Sequence, residues 1–423
     1  MRPHLFKRAS PSVGRAPTSP ICHVLPPNIG DRRQGLVASR APGRQNNTTA
    51  QAVDSSFGGS TMWQRLARRC ACALACAAVA LAAHAQGTSF VVGQLIERGA
   101  DQADYARDFM AGAKVAFDAA NQSGGIKGRR ISLVRREVAL NEAIPQAVDM
   151  IERDHVELLF GVSERLLPVL AASPEIARRN VPLLAPLSGA TSTADNVLFI
   201  RPDYDHEIVA AHNRLRQFGM RRIALVTAAG FDPQLGVRLR GSIGKGNAAE
   251  TLDLYTLTGD PAELAARIAP TKPTAVFVAG DTLTYATVGR ALAQQGWYGF
   301  LVGLSSVNPQ VAREILGSGY SGGMLLAQTV PNPASGVTKV AREHMARMKQ
   351  FLDEPPSAAT LSGYIAAVYL VQAMNAAGGK VTGVELRRAL QTRVDVGGFT
   401  LDFTRGNRGS EFVDLNYIQG AGN

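Results

Sequence analysis

Gly161-Val162-Ser163-Glu164-Arg165 is the nearest approach in this chain to a catalytic serine motif. A nucleophile elbow reads Gly-x-Ser-x-Gly, because its serine sits on a sharp strand-to-helix turn. This stretch fails at its last position, where Arg165 stands. Gly241-Ser242-Ile243-Gly244-Lys245-Gly246 has the glycines and lysine of a phosphate loop, but neither its spacing nor the Ser/Thr after the lysine. No Gly-x-Gly-x-x-Gly follows the first predicted strand. His155, His206, His212 and His344 form no pair at i,i+4, so they offer no helical metal site and read as solvated helix residues. The scattered carboxylates give no acid/base pair. These residues argue against catalysis, and no cofactor or metal is expected.

Other polar residues sit where a fold could use them. Ser163 and Ser188 fall at the ends of predicted strands, where a serine commonly serves a turn or caps a helix. Asp232 and Asp281 each precede a helical pattern and read equally as N-caps or as binding acids. Glu207 falls in a predicted first helical turn, where the helix dipole favours an acid.

The elements that would position these residues alternate. Strands are predicted at Phe90–Ile96, Ile131–Arg135, Val156–Phe160 and Pro182–Ala185. A second series follows at Arg222–Val226, Thr251–Tyr255, Ala275–Val278, Phe300–Val302 and Met324–Ala327. Between them lie helical patterns: Phe109, Ala113, Phe117 and Ala120 recur in Tyr105–Asn121, and Ile208, Ala211, Leu215 and Phe218 in Asp205–Phe218. Strands alternating with helices predict parallel sheets of βαβ units, and two series predict two α/β lobes. The break falls near Arg201-Pro202-Asp203. Three further helical patterns follow: Thr338–Phe351, Ala358–Ala377 and Gly383–Gln391. Phe399–Phe403 and Glu411–Ile418 read as a β pair joined by the turn-rich residues 404–409.

Charge and cysteine usage separate a leader from the rest. The chain has 423 residues and a formal net charge of +11. Residues 1–85 hold eleven Lys+Arg against two Asp+Glu, and the remainder holds 34 against 32, a net of only +2. The basic character therefore belongs to the leader and gives no reason to expect a nucleic-acid partner. Cys22, Cys70, Cys72 and Cys76 all precede residue 86, so the remainder has neither a disulfide nor a thiol nucleophile. Met62–Arg69 reads as a positively charged n-region, Cys70–Ala83 as an apolar h-region of 14 residues, and Ala83-His84-Ala85 as a cleavage site leaving Gln86 first. The apolar run is short for a membrane span. Residues 1–61 are rich in Pro, Ser, Arg and Asn and are expected to be disordered, with translation starting at Met62. A cleaved signal peptide implies export to the periplasm.

One punctuating stretch is Asn121-Gln122-Ser123-Gly124-Gly125-Ile126-Lys127-Gly128-Arg129-Arg130-Ile131, which ends a helix and opens a strand. It is followed in order by Phe160-Gly161-Val162-Ser163, Ala185-Pro186-Leu187-Ser188-Gly189-Ala190, Phe199-Ile200-Arg201-Pro202, Tyr204-Asp205-His206-Glu207 and Leu304-Ser305-Ser306-Val307. Gly363-Tyr364-Ile365 and Gly409-Ser410-Glu411-Phe412-Val413 close the series. The order, placed after a signal peptide, resembles the type I periplasmic binding proteins, the Leu/Ile/Val-binding family of ABC transporters. The resemblance covers Phe90 to about Ile418.

What the resemblance implies is an α/β fold of two Rossmann-like lobes with parallel sheets, joined by a three-segment hinge. The expected hinge segments are Pro202–Asp203, Gln328–Val330 and Gln391–Arg393, which assigns residues 86–203 and 330–392 to lobe 1 and residues 204–329 and 393–423 to lobe 2. A small organic solute, amino-acid-like and bearing a carboxylate or amide, would bind between the lobes and pass to a membrane ABC permease. In the resembled site, backbone N–H groups and Ser or Thr hydroxyls hold a carboxylate. By position these would come from Ser163, Ser188, Gly189 and Ala190. Tyr204 would stack on the ligand or pack at the hinge, and Arg98 and Asp101 would lie on the first ligand loop. The leucine-binding branch carries an acid after the strand that ends here at Gly303; Ser305 stands there instead, leaving Asp232 and Asp281 as candidate replacements. A monomer suits solute delivery. The alternatives are a ligand sensor of the same fold, or an α/β enzyme such as a hydrolase.

Overall fold

The computed structural model describes residues 89–99, 103–228, 234, 236–238, 251–352, 355–378 and 382–418. The leader, Asp101 and Asp232 lie outside the described residues.

The first sheet is built from β1 (Phe90–Glu97), β2 (Ile131–Val138), β3 (Leu158–Phe160), β4 (Leu183–Leu184) and β5 (Val197–Leu198). All its neighbours pair in parallel, in the order β2-β1-β3-β4-β5. The connecting helices are α1 (Ala103–Gln122), α2 (Ala143–Glu152), α3 (Leu166–Ala171) and α4 (Pro174–Arg178). The chain then crosses to a second unit through Phe199–Asp203 and enters α5 (Tyr204–Gln217), which Asp203 caps by accepting the His206 N–H at 2.8 Å.

The second sheet contains β6 (Arg222–Thr227), β7 (Thr251–Thr256), β8 (Ala275–Ala279), β9 (Phe300–Gly303) and β10 (Gly323–Gln328), with helices α6 (Pro261–Ile268), α7 (Thr282–Gln294) and α8 (Pro309–Leu316). Its order is β7-β6-β8-β9-β10, the same winding as the first, with a final antiparallel strand β13 (Asp414–Ile418) beside β10. Between β10 and β13 the chain returns to the first unit as α9 (Lys339–Phe351), α10 (Ala358–Ala376), α11 (Val384–Leu390) and the hairpin β11 (Arg393–Val396) and β12 (Phe399–Asp402).

Strand parity explains the layers, because successive side chains face opposite sides of a sheet. In the first sheet Phe90, Val92, Ile96, Leu158 and Phe160 pack with α1, α9 and α10, whereas Leu95, Leu159, Leu183 and Val197 pack with α2, α3 and α4. In the second, Ala224, Val226, Val276 and Val278 face α6, α7 and α8, whereas Ile223, Leu225 and Phe277 face α5. The parallel strands of each sheet are covered on both faces, as parallel sheets require.

The strands in both series fall where their apolar runs predict, within two residues at their starts. The Gly124-Gly125 turn ends α1 as expected: both glycines have positive φ (100° and 71°), and the Gly125 N–H returns to Ala120 O at 2.8 Å. Helices α1 and α10 cross closely because each presents a glycine to the other's backbone, Gly112 against Thr360 and Gly363 against Phe109. Although α10 is buried nearly all round, no helix among the described residues is long and apolar enough to cross a membrane.

Three expectations need correction. Phe399–Phe403 does not pair with the terminal strand. It folds back on β11 through Gly397-Gly398, both at positive φ (58° and 87°), while β13 pairs with β10 in the other sheet. The third crossing consequently falls between Gly409 and Asp414 rather than at Gln391–Arg393, since Val396, Phe399, Leu401 and Phe403 join the first core. Finally, His212 and His344 are buried rather than solvated, on the core-facing sides of α5 and α9.

Candidate functional site

A sheet ordered 2-1-3-4-5 reverses direction between its first and third strands, and solutes bind outside the carboxyl ends of the strands at that switch point. In the first sheet this point lies between the ends of β1 and β3, at Glu97 and Gly161-Val162-Ser163-Glu164. In the second it lies between β6 and β8, before Asp281.

Ser163 ties the two strands of the first switch point together. Its Oγ accepts the Glu97 N–H at 3.1 Å, and its own N–H donates to Leu95 O at 3.2 Å. Its carbonyl accepts from Leu166 and Leu167, starting α3. Only 1 % of Ser163 is exposed.

Ser188, Gly189, Ala190 and Tyr204 come together around Glu164. The Ser188 hydroxyl donates to Glu164 Oε1 at 3.1 Å and accepts the Ala190 N–H at 2.9 Å. The Tyr204 hydroxyl donates to the same Glu164 oxygen at 2.6 Å, and the Tyr204 N–H donates to Gly189 O at 3.0 Å. The tyrosine ring lies flat against Gly189, where any side chain would collide with it. Burial first, and then the Glu164 carboxylate, holds the Tyr204 phenol well above its usual range, so it stays a neutral donor.

The next layer is an ion pair. Arg201 Nη2 donates to Glu207 Oε1 and, at 2.6 Å, to Ser305 Oγ. Glu207 in turn accepts the Ser305 N–H on Oε2 at 3.1 Å and the Ser305 hydroxyl on Oε1 at 3.2 Å. Both charged side chains are buried, and the guanidinium stacks over Tyr204 with Cζ 5.3 Å from the ring centroid. Burial pulls the Arg201 guanidinium downward, but Glu207 and the neighbouring tyrosines outweigh it, and the guanidinium is held above its ordinary value. Burial also raises the Tyr105 phenol, against the pull of Arg201 and a hydrogen bond with Ser362.

Arg408 fastens the crossing from behind. It donates to Ala190 O at 2.7 Å and to Arg201 O at 3.2 Å, lies 3.6 Å from Asp203 and stacks on Phe199 at 4.3 Å. Burial, and behind it the charge of Arg201, lowers the Arg408 guanidinium, while Asp203 opposes the shift.

Of the residues singled out in the sequence, Ser188, Gly189, Ala190 and Tyr204 therefore form one connected patch around Glu164, and Ser305 joins it through Arg201 and Glu207; Ser163 precedes Glu164 in the chain but bonds to β1 and the start of α3. Glu207 is the first-turn acid of α5 that its position predicts, and it is also buried, as the carboxylate of the ion pair with Arg201. Asp281 stands apart as the exposed N-cap of α7, accepting the Thr284 N–H at 2.8 Å. Arg98 is exposed and donates to Glu137 O at 3.3 Å. Glu164, Glu97, Tyr105 and Arg408 were not identified from sequence. Glu164 carried one usable signal, its place directly after the strand-end serine; the others had none. Among the described residues no group of three His, Cys, Asp or Glu side chains is placed to hold a metal. Chemically, the patch is a set of hydroxyls and backbone N–H groups arranged round carboxylates.

A family model described as "Periplasmic binding protein" matches residues 89–412. Among solved structures, a substrate-binding periplasmic protein from Ralstonia solanacearum is 27 % identical, with a TM-score of 0.66 over 77 % of this chain and 97 % of that one. A leucine binding protein from Thermotoga maritima is 18 % identical, with a TM-score of 0.62 over 78 % of this chain and 98 % of its own. A fatty acid ABC transporter substrate-binding protein from Thermomonospora curvata is 16 % identical, with a TM-score of 0.62 over 77 % and 87 %. No curated protein sequence matches the chain. Two wound sheets linked by three crossings, with the family match spanning nearly all described residues, place this chain in the periplasmic binding protein family, with the type I fold of its leucine-binding members.

Proposed function

We propose that the protein captures a small organic solute, amino-acid-like and bearing a carboxylate or amide, and delivers it to an ABC importer by closing its two lobes. The observation that carries this reading is the meeting of the two lobes at the first crossing: Ser163, Glu164 and Ser188, which follow strands of the first sheet, and Ser305 after β9 with Glu207 of α5, bridged by Arg201 and Tyr204. A solute touching both sides would favour the closed form by its differential affinity for it. Ser163, Ser188, Gly189, Ala190, Tyr204 and Ser305 are the proposed contacts. Asp281 and Asp232 are proposed from the second lobe, because they follow β8 and β6, the strands of its switch point. The description of the Thermomonospora relative as an ABC transporter substrate-binding protein supports delivery to a permease, and the predicted leader at residues 62–85 supports export. In this reading the protein is not an enzyme, acts as a monomer and meets the permease in the periplasm.

The test is thermal unfolding of the exported protein after its bound solute has been stripped by unfolding and refolding. A panel of aliphatic amino acids, amides, urea, and aromatic and dicarboxylic acids is added in turn. A solute at about 100 times its Kd stabilises by about 2.7 kcal/mol, a visible rise in Tm. Recovery of the solute unchanged after incubation supports binding; its conversion would instead favour a hydrolase.

A further inference from the structure

The residues just before the third crossing lie along the first one. Phe199 donates its N–H to Asn407 O at 2.7 Å and accepts the Gly409 N–H at 2.8 Å, so Phe199 and Arg408 form a parallel bridge directly after β5. Asn407 Nδ2 also donates to Ser192 O at 2.8 Å. The backbone of residues 407–409 is therefore fixed to the start of the first crossing.

The Arg408 side chain then spreads over three segments. Nη2 donates to Ala190 O at 2.7 Å, Nη1 donates to Arg201 O at 3.2 Å, and Nε lies 3.6 Å from Asp203 Oδ2. The plane stacks on Phe199, and the side chain is 19 % exposed. Only a rigid fork of donors can hold two carbonyls of different segments at once; an ammonium is a single point of charge.

The segment that carries Ala190 changes allegiance along its length. Leu187 donates its N–H to Val162 O at 2.9 Å, within the first lobe. The next two carbonyls in use belong to Gly189, which accepts the Tyr204 N–H at 3.0 Å, and to Ala190, which accepts Arg408. Residues 189 and 190 are thus anchored to the chain that joins the lobes, which is where a hinge absorbs its φ/ψ change.

We propose that Arg408 is a positioning residue that couples the hinge to the solute loop: its guanidinium binds Ala190 O and Arg201 O together, so the setting of the first and third crossings fixes the setting of Ser188-Gly189-Ala190. This assignment rests on the solute-binding reading above. Arg408 itself touches no solute in it.

The test takes as probe whichever of leucine, benzoate, glutarate and acetamide raises the Tm of the stripped protein, and measures its Kd by calorimetry. Arg408→Lys keeps the charge but reaches one carbonyl, and should bind the probe about fivefold or more weakly. Arg408→Ala should lose affinity likewise, and millimolar methylguanidinium should restore it by refilling the space the guanidinium left. An unchanged Kd in both variants, whatever their Tm, marks Arg408 as merely structural and overturns the proposal. Affinity lost in Arg408→Ala but kept in Arg408→Lys overturns it too, since charge rather than the bridge would then suffice. Hydrogen exchange on the parent protein needs no variant to fold. On adding the probe, residues 186–192, 199–204 and 405–412 should gain protection together; protection confined to 186–192 would overturn the coupling. A rise in Tm with none of the four probes counts against the solute-binding reading and removes the role of Arg408 with it, a result distinct from binding that is indifferent to Arg408.

Discussion

Arg201, on the first crossing between the sheets, and Glu207, in the first turn of α5, form an ion pair sealed from water, with Ser305 completing the carboxylate's acceptor set. Taking two charges out of water is costly, and their attraction offsets that cost only while both are present. Removing one partner leaves the other buried and unmatched. Glu207→Gln or Arg201→Met should therefore lower unfolding stability by about 3–5 kcal/mol. Replacing both by apolar residues should cost much less than the sum of the two. Urea unfolding of the single and double variants measures this, and additive losses would show that the pair is not coupled.

Gly112 and Gly363 set the separation of α1 and α10. A methyl added at Gly363 would lie 1.7 Å from the Phe109 carbonyl oxygen, and one at Gly112 equally close to that of Thr360. Both obstacles are backbone, which cannot rotate away. Either alanine variant should lower stability by about 1–3 kcal/mol or more through forced separation of the helices. A variant that melts at the parent temperature would sink this account of the crossing.

Tyr204 and Glu164 join the first crossing to the end of β3. Tyr204→Phe deletes a donor to a half-buried carboxylate and should cost about 1–3 kcal/mol. Gly189→Ala should disturb the same bond indirectly, since its added carbon would sit 2.6 Å from the Tyr204 ring. If the two changes act on one hydrogen bond, combining them should cost less than their sum. Full additivity in denaturant melts would place their effects elsewhere.

His344 predicts an acid dependence of stability. It is fully buried in α9, and burial lowers its pKa from 6.5 to about 4. The unfolded chain then binds more protons than the folded one between these values, so stability is full above pH 6.5 and falls as the pH drops toward 4. The loss attributable to this group is about 3 kcal/mol across that window. His344→Leu should flatten that part of the profile, and an unchanged slope between pH 4 and 6.5 would falsify the assignment.

Most of the framework was legible because parallel strands buried on both faces read as short continuous apolar runs, and helices between them as three-to-four-residue periods. Phe90–Glu97 and Ala275–Ala279 are of this kind. The two-residue strand Val197–Leu198 was not, being too short for any period to register. The partners of Phe399–Asp402 and Asp414–Ile418 were also illegible in advance: each run is a good strand, but which edge it joins depends on residues far away in sequence. The hairpin turns at Gly397-Gly398, both at positive φ, a local signal that was not identified from sequence.

The site divides along the same line. Sequence by itself placed Ser163, Ser188 and Tyr204 at element ends, because helix and strand boundaries follow from local pattern. Only the tertiary structure gathered Ser188 and Tyr204 on Glu164, buried Glu207 against Arg201, sent Asp281 to cap its own helix and set Arg408 across Ala190 and Arg201. Periodicity is a property of neighbours along the chain. Desolvation and charge pairing are properties of neighbours in space, and those are set only when both sheets have wound and the chain has crossed between them.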